Sequence, residues 1–220
     1  MNLKQLIQET VQRELKMLRE NGYLEPFSMD ELRAFHTPRD ARKYLDDHLE
    51  KAGEGDFRIT YGLDEDTVIK FAKKDIMQNA QEARNARCLP KTYVVQVFEK
   101  HPEFWWIVME RLQKLSREQF VAAFEQRIGA PVPYKADGRG YDLEQKESKI
   151  MMAIEFGVNP HDYNAQGEHM VNNKTWLKNK WYAGLIAGLR KCQVQADDFH
   201  HKNWGIRPTT GDLVLLDLGF

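Results

Sequence analysis

The stretch that most constrains the fold is the last one, from Gln195 to Phe220. Asp198 is followed five residues later by Asn203. A strand comes next, then a turn at Gly211-Asp212, then a second apolar strand that ends in Asp217-Leu218-Gly219. Three oxygen-bearing side chains are thereby set at the ends of a short β-hairpin. Hard oxygen ligands suit a divalent cation, and a loop carboxylate suits an attacking hydroxyl beside a phosphate chain.

The remainder of the chain must present partners to that hairpin. Leu3, Leu6, Ile7, Val11, Leu15 and Leu18 recur at helical spacing, and Asn21-Gly22 forms a stop. Ser28 with Glu31 predicts a short second helix, and Thr37-Pro38 opens a third that runs to about Glu50. At Lys51 the texture changes. A turn bearing Gly53 and Gly55 precedes Ile59-Thr60-Tyr61, and an acidic turn separates these from Thr67-Val68-Ile69-Lys70-Phe71, which predicts a hairpin. A helix from Asp75 to about Leu89 is ended by Pro90. Strands are expected at Tyr93–Val97 and Phe104–Met109, with alternation sending one ring of Trp105-Trp106 inward and the other outward. Helices follow from Ser116 to Gly129, from Asp142 to Phe156, and from Lys174 or Thr175 to about Cys192, with polar, turn-rich segments between them. The class expected is α+β, divided into an N-terminal helical extension over residues 1–50, a β-rich part over 51–112 and a helical part over 113–220.

Composition narrows the partners. A net charge of −1 with no long basic block does not point to nucleic acid. No apolar run has the length to cross a bilayer, and the N-terminus lacks a signal-peptide core. Cys88 and Cys192 stand far apart in no metal-ligand spacing, which gives the expectation of a reduced, cytoplasmic protein. Gly167-Glu168-His169 lacks the spacing of a zinc-protease helix, and His161-Asp162 falls in a polar loop.

Phosphoryl transfer requires positioned cations and shielding rather than covalent chemistry from the protein. Glycines let backbone N–H groups approach phosphate oxygens, a role open to Gly53 and Gly55. A strand lysine aimed at phosphates needs a carboxylate to hold it, and Glu82, two turns into the next helix, is within reach of Lys70. Asp198 would orient the attacking hydroxyl, and Asn203 with Asp217 would ligate Mg²⁺.

Taken in order, these motifs resemble the protein-kinase-like fold from about Lys51 to Phe220. Gly53-x-Gly55 is similar to the glycine loop, Val68-Ile69-Lys70 to the strand lysine and Glu82 to its helix partner. Val108-Met109-Glu110-Arg111-Leu112 resembles the hinge between two lobes. The resemblance implies that backbone groups near Glu110 and Leu112 bind adenine and that Met109 lines the back of the pocket. It also implies ATP and Mg²⁺ as cofactors, a catalytic role for Asp198 and a phosphate-side role for His200.

The chain also departs from that pattern. Arg58 replaces the third glycine of the loop, Ala196-Asp197 stands where His-Arg usually precedes the catalytic Asp, and His200 stands where a Lys is usual. Asp198-x-His200 resembles aminoglycoside- and choline-kinase-like phosphotransferases and compact phage-encoded protein kinases, the latter implying a host cytoplasm. The sequence stops three residues after Asp217, so an activation segment and later helices are expected to be missing, with the N-terminal helices packing on the helical part in their place. The expected activity is a minimal protein kinase acting on hydroxyl side chains. The alternatives are a phosphotransferase with a small-molecule hydroxyl acceptor and a kinase-derived binding module without catalysis.

Overall fold

Two runs of β-branched and aromatic residues, Arg58–Gly62 (β2) and Thr67–Ala72 (β3), pair antiparallel at the centre of the molecule, with Thr60 opposite Lys70. Asp64 closes the turn between them, its carboxylate accepting from the N–H groups of Asp66 and Thr67. β1 (Lys51–Glu54), β4 (Val97–Lys100) and β5 (Trp106–Glu110) complete a five-stranded antiparallel sheet in the order β1-β2-β3-β5-β4. The computed structural model describes residues 10, 14, 17, 26–133, 142–158, 175–194 and 199–217. Most of the expected helix from Leu3 to Leu18 lies outside them, as do Asp137–Gly140, His161-Asp162, Gly167–His169, Ala196–Asp198 and Leu218-Gly219.

Helices form where local capping chemistry asks for them. Met29–Ala34 (α1) starts at Ser28, whose hydroxyl accepts from Glu31 N–H, and Pro38–His48 (α2) starts at Thr37. Met77–Cys88 (α3) follows β3, with Asp75 accepting from Met77 N–H. Arg117–Ile128 (α4) has a full capping box between Ser116 and Gln119, and it ends at Gly129 with φ 70°, a left-handed conformation that suits glycine. Asp142–Val158 (α5) and Lys180–Cys192 (α6) complete the helical body. The expected long helix from Thr175 is broken, because Asn179 leaves the helix to accept from Tyr182 N–H and to donate to the Arg127 carbonyl. Gln113–Lys114 (β6), Trp204–Ile206 (β7) and Leu213–Leu215 (β8) form a second, three-stranded sheet. The molecule is α+β, and no helix among the described residues is long and apolar enough to cross a membrane.

The core has two parts. Leu32, Ala41, Tyr44, Leu45 and Leu49 of α1, α2 and their edges seal one face of the large sheet over Ile59, Tyr61, Ile69, Phe71, Trp106 and Val108. The other part runs from Val68, Ile107 and Met109, on the opposite face, through α3 into α4, α5, α6 and the small sheet.

Four expectations change here. The described N-terminal helices pack on the sheet rather than on the helical body, because the odd-numbered residues of β3 offer them an apolar face. Tyr93–Val95 is not an edge strand of the large sheet. It turns to β8, where Val95 N–H donates to Leu215 and Leu215 N–H donates to Tyr93, so β4 begins only at Val97. Both tryptophan rings are buried. Phe104, at φ 59°, turns the chain before β5, and Trp105 lies flat on His101 with ring centroids 4.1 Å apart instead of alternating outward. Finally, Cys88 and Cys192 are not a reduced pair. They close a disulfide between the C-terminal ends of α3 and α6.

Candidate functional site

Helix α3 buries an unusual face. Asn79, Glu82 and Asn85 recur every third residue and are all shielded from solvent. A polar stripe at helical spacing pointing into protein is costly unless each group is paired. Asn79 Nδ2 donates to the carbonyls of Phe104 at 3.0 Å and Trp105 at 3.3 Å, which fixes the helix against the sheet. One turn later Glu82, fully buried, meets the charges of the strands.

Lys70 lies on the face of β3 opposite Ile69 and Phe71, and its Nζ donates to Glu82 Oε1 at 2.7 Å. The same Nζ reaches the carbonyl of Leu216, 146 residues on, at 3.3 Å. The Lys70–Glu82 pair expected from spacing is therefore made, deep in the protein. Arg58, opening β2, adds a third member. Its Nη1 donates to Glu82 Oε2, and its Nη2 donates to both oxygens of Asp217 at 2.5 Å. Burial works against the charge on Arg58, but Glu82 and Asp217 outweigh it and hold its pKa above the ordinary guanidinium value. Two cations and two anions thus share one cluster, the arrangement in which buried charges are tolerated.

The hairpin supplies Asp217. Trp204 pairs with Leu215, and Leu216 N–H donates to the Asn203 carbonyl at 2.8 Å, so Asn203 and Asp217 leave the same open end of β7–β8. Gly211, at φ 70°, makes the distal turn. Asn203 closes a 3₁₀ turn, His201–Asn203, in which the His200 side chain accepts from Lys202 N–H. That turn is gripped from below by Glu147 of α5. One Glu147 oxygen accepts from His201 N–H and meets its Nδ1, both at 2.7 Å, while the other accepts from Arg117 at 2.6 Å. Burial pushes the Glu147 carboxyl up, yet the bonds from His201 and Arg117 hold it below the usual carboxylate range.

The expected hinge residues fall at the end of β5 and beyond. Met109 is fully buried, and Leu112 packs where Gly205 leaves room for it: a Cβ there would stand 2.7 Å from the Leu112 Cβ. The Glu110 carboxylate, however, is bound by Arg207 at 2.6 and 3.0 Å, with Arg207 also donating to the carbonyls of Lys91 and Val94. Its side chain ties the end of β5 to the small sheet, and its N–H donates to the Gln96 carbonyl at 2.9 Å. Gly53 is a strand residue of β1 opposite Thr60, and only Gly55 is on the turn, its N–H donating to Arg58. Asp198 lies outside the described residues, so the structure brings together Lys70, Glu82, Asn203 and Asp217 of the expected set.

Sequence reading assigns none of the roles that three residues play in this site. Arg58 sits two positions before Thr60 on β2, and Thr60 is opposite Lys70 in the sheet, so strand alternation places Arg58 on the lysine's face. Glu147 shares its helical face with Ile150 and Ile154, and an acid on an apolar stripe is a signal in itself. Arg207 stands between Ile206 and Pro208 and carries no comparable signal.

Among the described residues no group of three His, Cys, Asp or Glu side chains could hold a metal unaided. One carboxylate and one amide side chain leaving the same end of the hairpin would still suit Mg²⁺, which takes few protein ligands and completes its shell with substrate phosphates and water. No family model matches the chain, and no characterised protein matches it closely enough to be counted a relative.

Proposed function

We propose that this chain is an ATP- and Mg²⁺-dependent phosphotransferase of the two-lobed protein-kinase-like kind, with residues 51–112 as the nucleotide lobe, 113–220 as a reduced helical lobe, and protein hydroxyl groups as acceptors. The observation that carries the reading is the buried Lys70–Glu82 pair with Lys70 also reaching the residue before Asp217. A lysine so held keeps its direction, as a group aimed at α- and β-phosphates must. Asn203 and Asp217 would hold Mg²⁺, which when bound neutralises charge on the phosphates. Glu147 positions the turn that carries Asn203, and Asp198 would orient the acceptor hydroxyl. Gly53 and Gly55 would lie over the phosphates, while Met109, the Glu110 carbonyl and the backbone at Leu112 would receive the base.

The test is transfer of label from γ-labelled ATP with Mg²⁺ to proteins of a cell lysate by the purified chain. Asp217→Asn should lower transfer by about 10²–10³-fold while costing only about 1–2 kcal/mol of stability, since Arg58 keeps its bond to Glu82. Transfer that survives in Asp217→Asn would overturn the metal assignment. Label confined to small metabolites would move the acceptor to a small-molecule alcohol.

The guanidinium of Arg58 on Asp217 favours a second reading, a kinase-derived binding module that does not turn over ATP. ATP·Mg²⁺ raises the melting temperature of a working pocket by mass action, and no shift at millimolar nucleotide would decide for the module.

A further inference from the structure

Arg58 lies where a metal must arrive. Both oxygens of Asp217 accept from its Nη2, so a divalent ion and this guanidinium compete for one carboxylate. The position of Arg58 is built rather than incidental. Its carbonyl accepts from Gly55 N–H across the β1–β2 turn, its Cα pairs with Ala72 in the sheet, and its side chain is nine-tenths buried. Its Nη1 stays on Glu82, which Lys70 also neutralises, so the contact to Asp217 can be given up without stranding either group.

Charge decides what can displace it. The cluster is balanced at two cations and two anions. A free divalent ion would add positive charge beside Arg58 and Lys70 in a partly desolvated site, where like charges repel strongly. A metal arriving on a polyphosphate brings a larger negative charge, and phosphate oxygens accept the planar guanidinium fork as readily as a carboxylate does.

We propose, on the nucleotide reading above, that Arg58 is a resident counter-cation of the metal site: it holds Asp217 against free divalent ions and passes to the phosphate oxygens when the metal arrives as a nucleotide complex. Its role is to make metal binding conditional on nucleotide. The glycine position it replaces is then a gain of function at the roof of the site, from shielding phosphate to recognising it.

Mn²⁺ as probe separates this from a packing role. Free Mn²⁺ is followed by its paramagnetic signal during titration of the full chain, with and without a non-hydrolysable imido analogue of ATP. Without nucleotide, Arg58→Met should bind Mn²⁺ at least about tenfold more tightly than wild type. With Mn²⁺ present, the same variant should bind the analogue about fivefold or more weakly. Arg58→Lys keeps a charge but loses the fork, and should fall between the two in Mn²⁺ affinity. It also serves as the test if Arg58→Met does not fold. Equal Mn²⁺ affinity in wild type and both variants overturns the proposal, and analogue binding in that case leaves the nucleotide reading standing. A gain in Mn²⁺ affinity with no analogue binding by any of the proteins does the reverse: Arg58 guards a metal site, and the nucleotide reading falls.

Discussion

The two faces of the five-stranded sheet are made from alternate residues of the same strands, yet they are built on different terms. On the face under α1 and α2, Ile59, Tyr61, Ile69, Phe71, Trp106 and Val108 are nearly all apolar surface. The Tyr61 hydroxyl there donates to Asp46 at 2.8 Å. On the other face, Arg58 and Lys70 stand among Val68, Ile107 and Met109 and are neutralised by carboxylates from α3 and from the far end of the chain. The first face gains stability by removing area from water. The second spends some of that gain on desolvated charges, which paired ions recover only in part. On the proposed reading the second face is the one arranged for chemistry, and the desolvated charges are what that reading has to account for.

Adjacent residues of β3 give the sharpest way to break that contrast. Phe71→Ala empties a filled apolar site and should lower the unfolding free energy by about 3–5 kcal/mol, read as a shift in urea midpoint at constant slope. Lys70→Met leaves Glu82 still bonded to Arg58, so no carboxylate is stranded, and its cost should be about 1–2 kcal/mol. The same variant should lose binding of the ATP analogue. If Lys70→Met destabilises as much as Phe71→Ala, the charged face is holding the fold together and its assignment to chemistry fails.

What the sequence disclosed follows the range of the interactions involved. Ser116 with Gln119, Gly129 and Thr37-Pro38 act on their own helix ends, so they read directly from neighbouring residues. Lys70 and Glu82 lie on one strand and the helix that follows it, 12 residues apart, and that spacing is enough to pair them. Val94 and Val95 looked like strand residues, which they nearly are, but their partner is Leu215, more than a hundred residues away, and nothing local names it. Arg58 read as a lost glycine because its meaning depends on Asp217, at a separation of 159 residues. The cysteines read as unrelated for the same reason: only the packing of α3 beside α6 brings Cys88 to Cys192.

That disulfide joins the helix carrying Glu82 to the helical body, and so tests whether the charged face relies on its far anchorage. The cross-link closes a separation of 104 residues. Reduction, or paired Cys88→Ser and Cys192→Ser, should cost about 2–4 kcal/mol in urea, somewhat less than Phe71→Ala. Analogue binding should weaken together with stability, because α3 loses one of its ties to α6. Melting curves that coincide with and without a dithiol reductant would show that packing alone holds α3 in place. A loss of stability with unchanged analogue affinity would separate the cross-link from the site.

The smallest expected effect probes the apolar face at its edge. His101 is buried between Trp105, on which it stacks, and Trp106, whose ring is tilted 58° to it. Its Nδ1 accepts from Glu103 N–H, which requires the neutral ring. Burial lowers its pKa below the ordinary 6.5, and the nearby Glu103 carboxylate only partly opposes this. Over the interval below pH 6.5 the unfolded chain therefore binds a proton that the folded chain refuses, so stability is full above 6.5 and falls as the pH is lowered toward the depressed folded value. His101→Phe keeps an aromatic ring on Trp105 and removes the titration. Thermal melts of wild type should drop by a few degrees more than those of the variant between pH 7 and pH 5. Parallel curves would mean that this face accepts a charge at its margin, and that the contrast between the two faces is set by paired carboxylates alone rather than by exclusion of charge from the first.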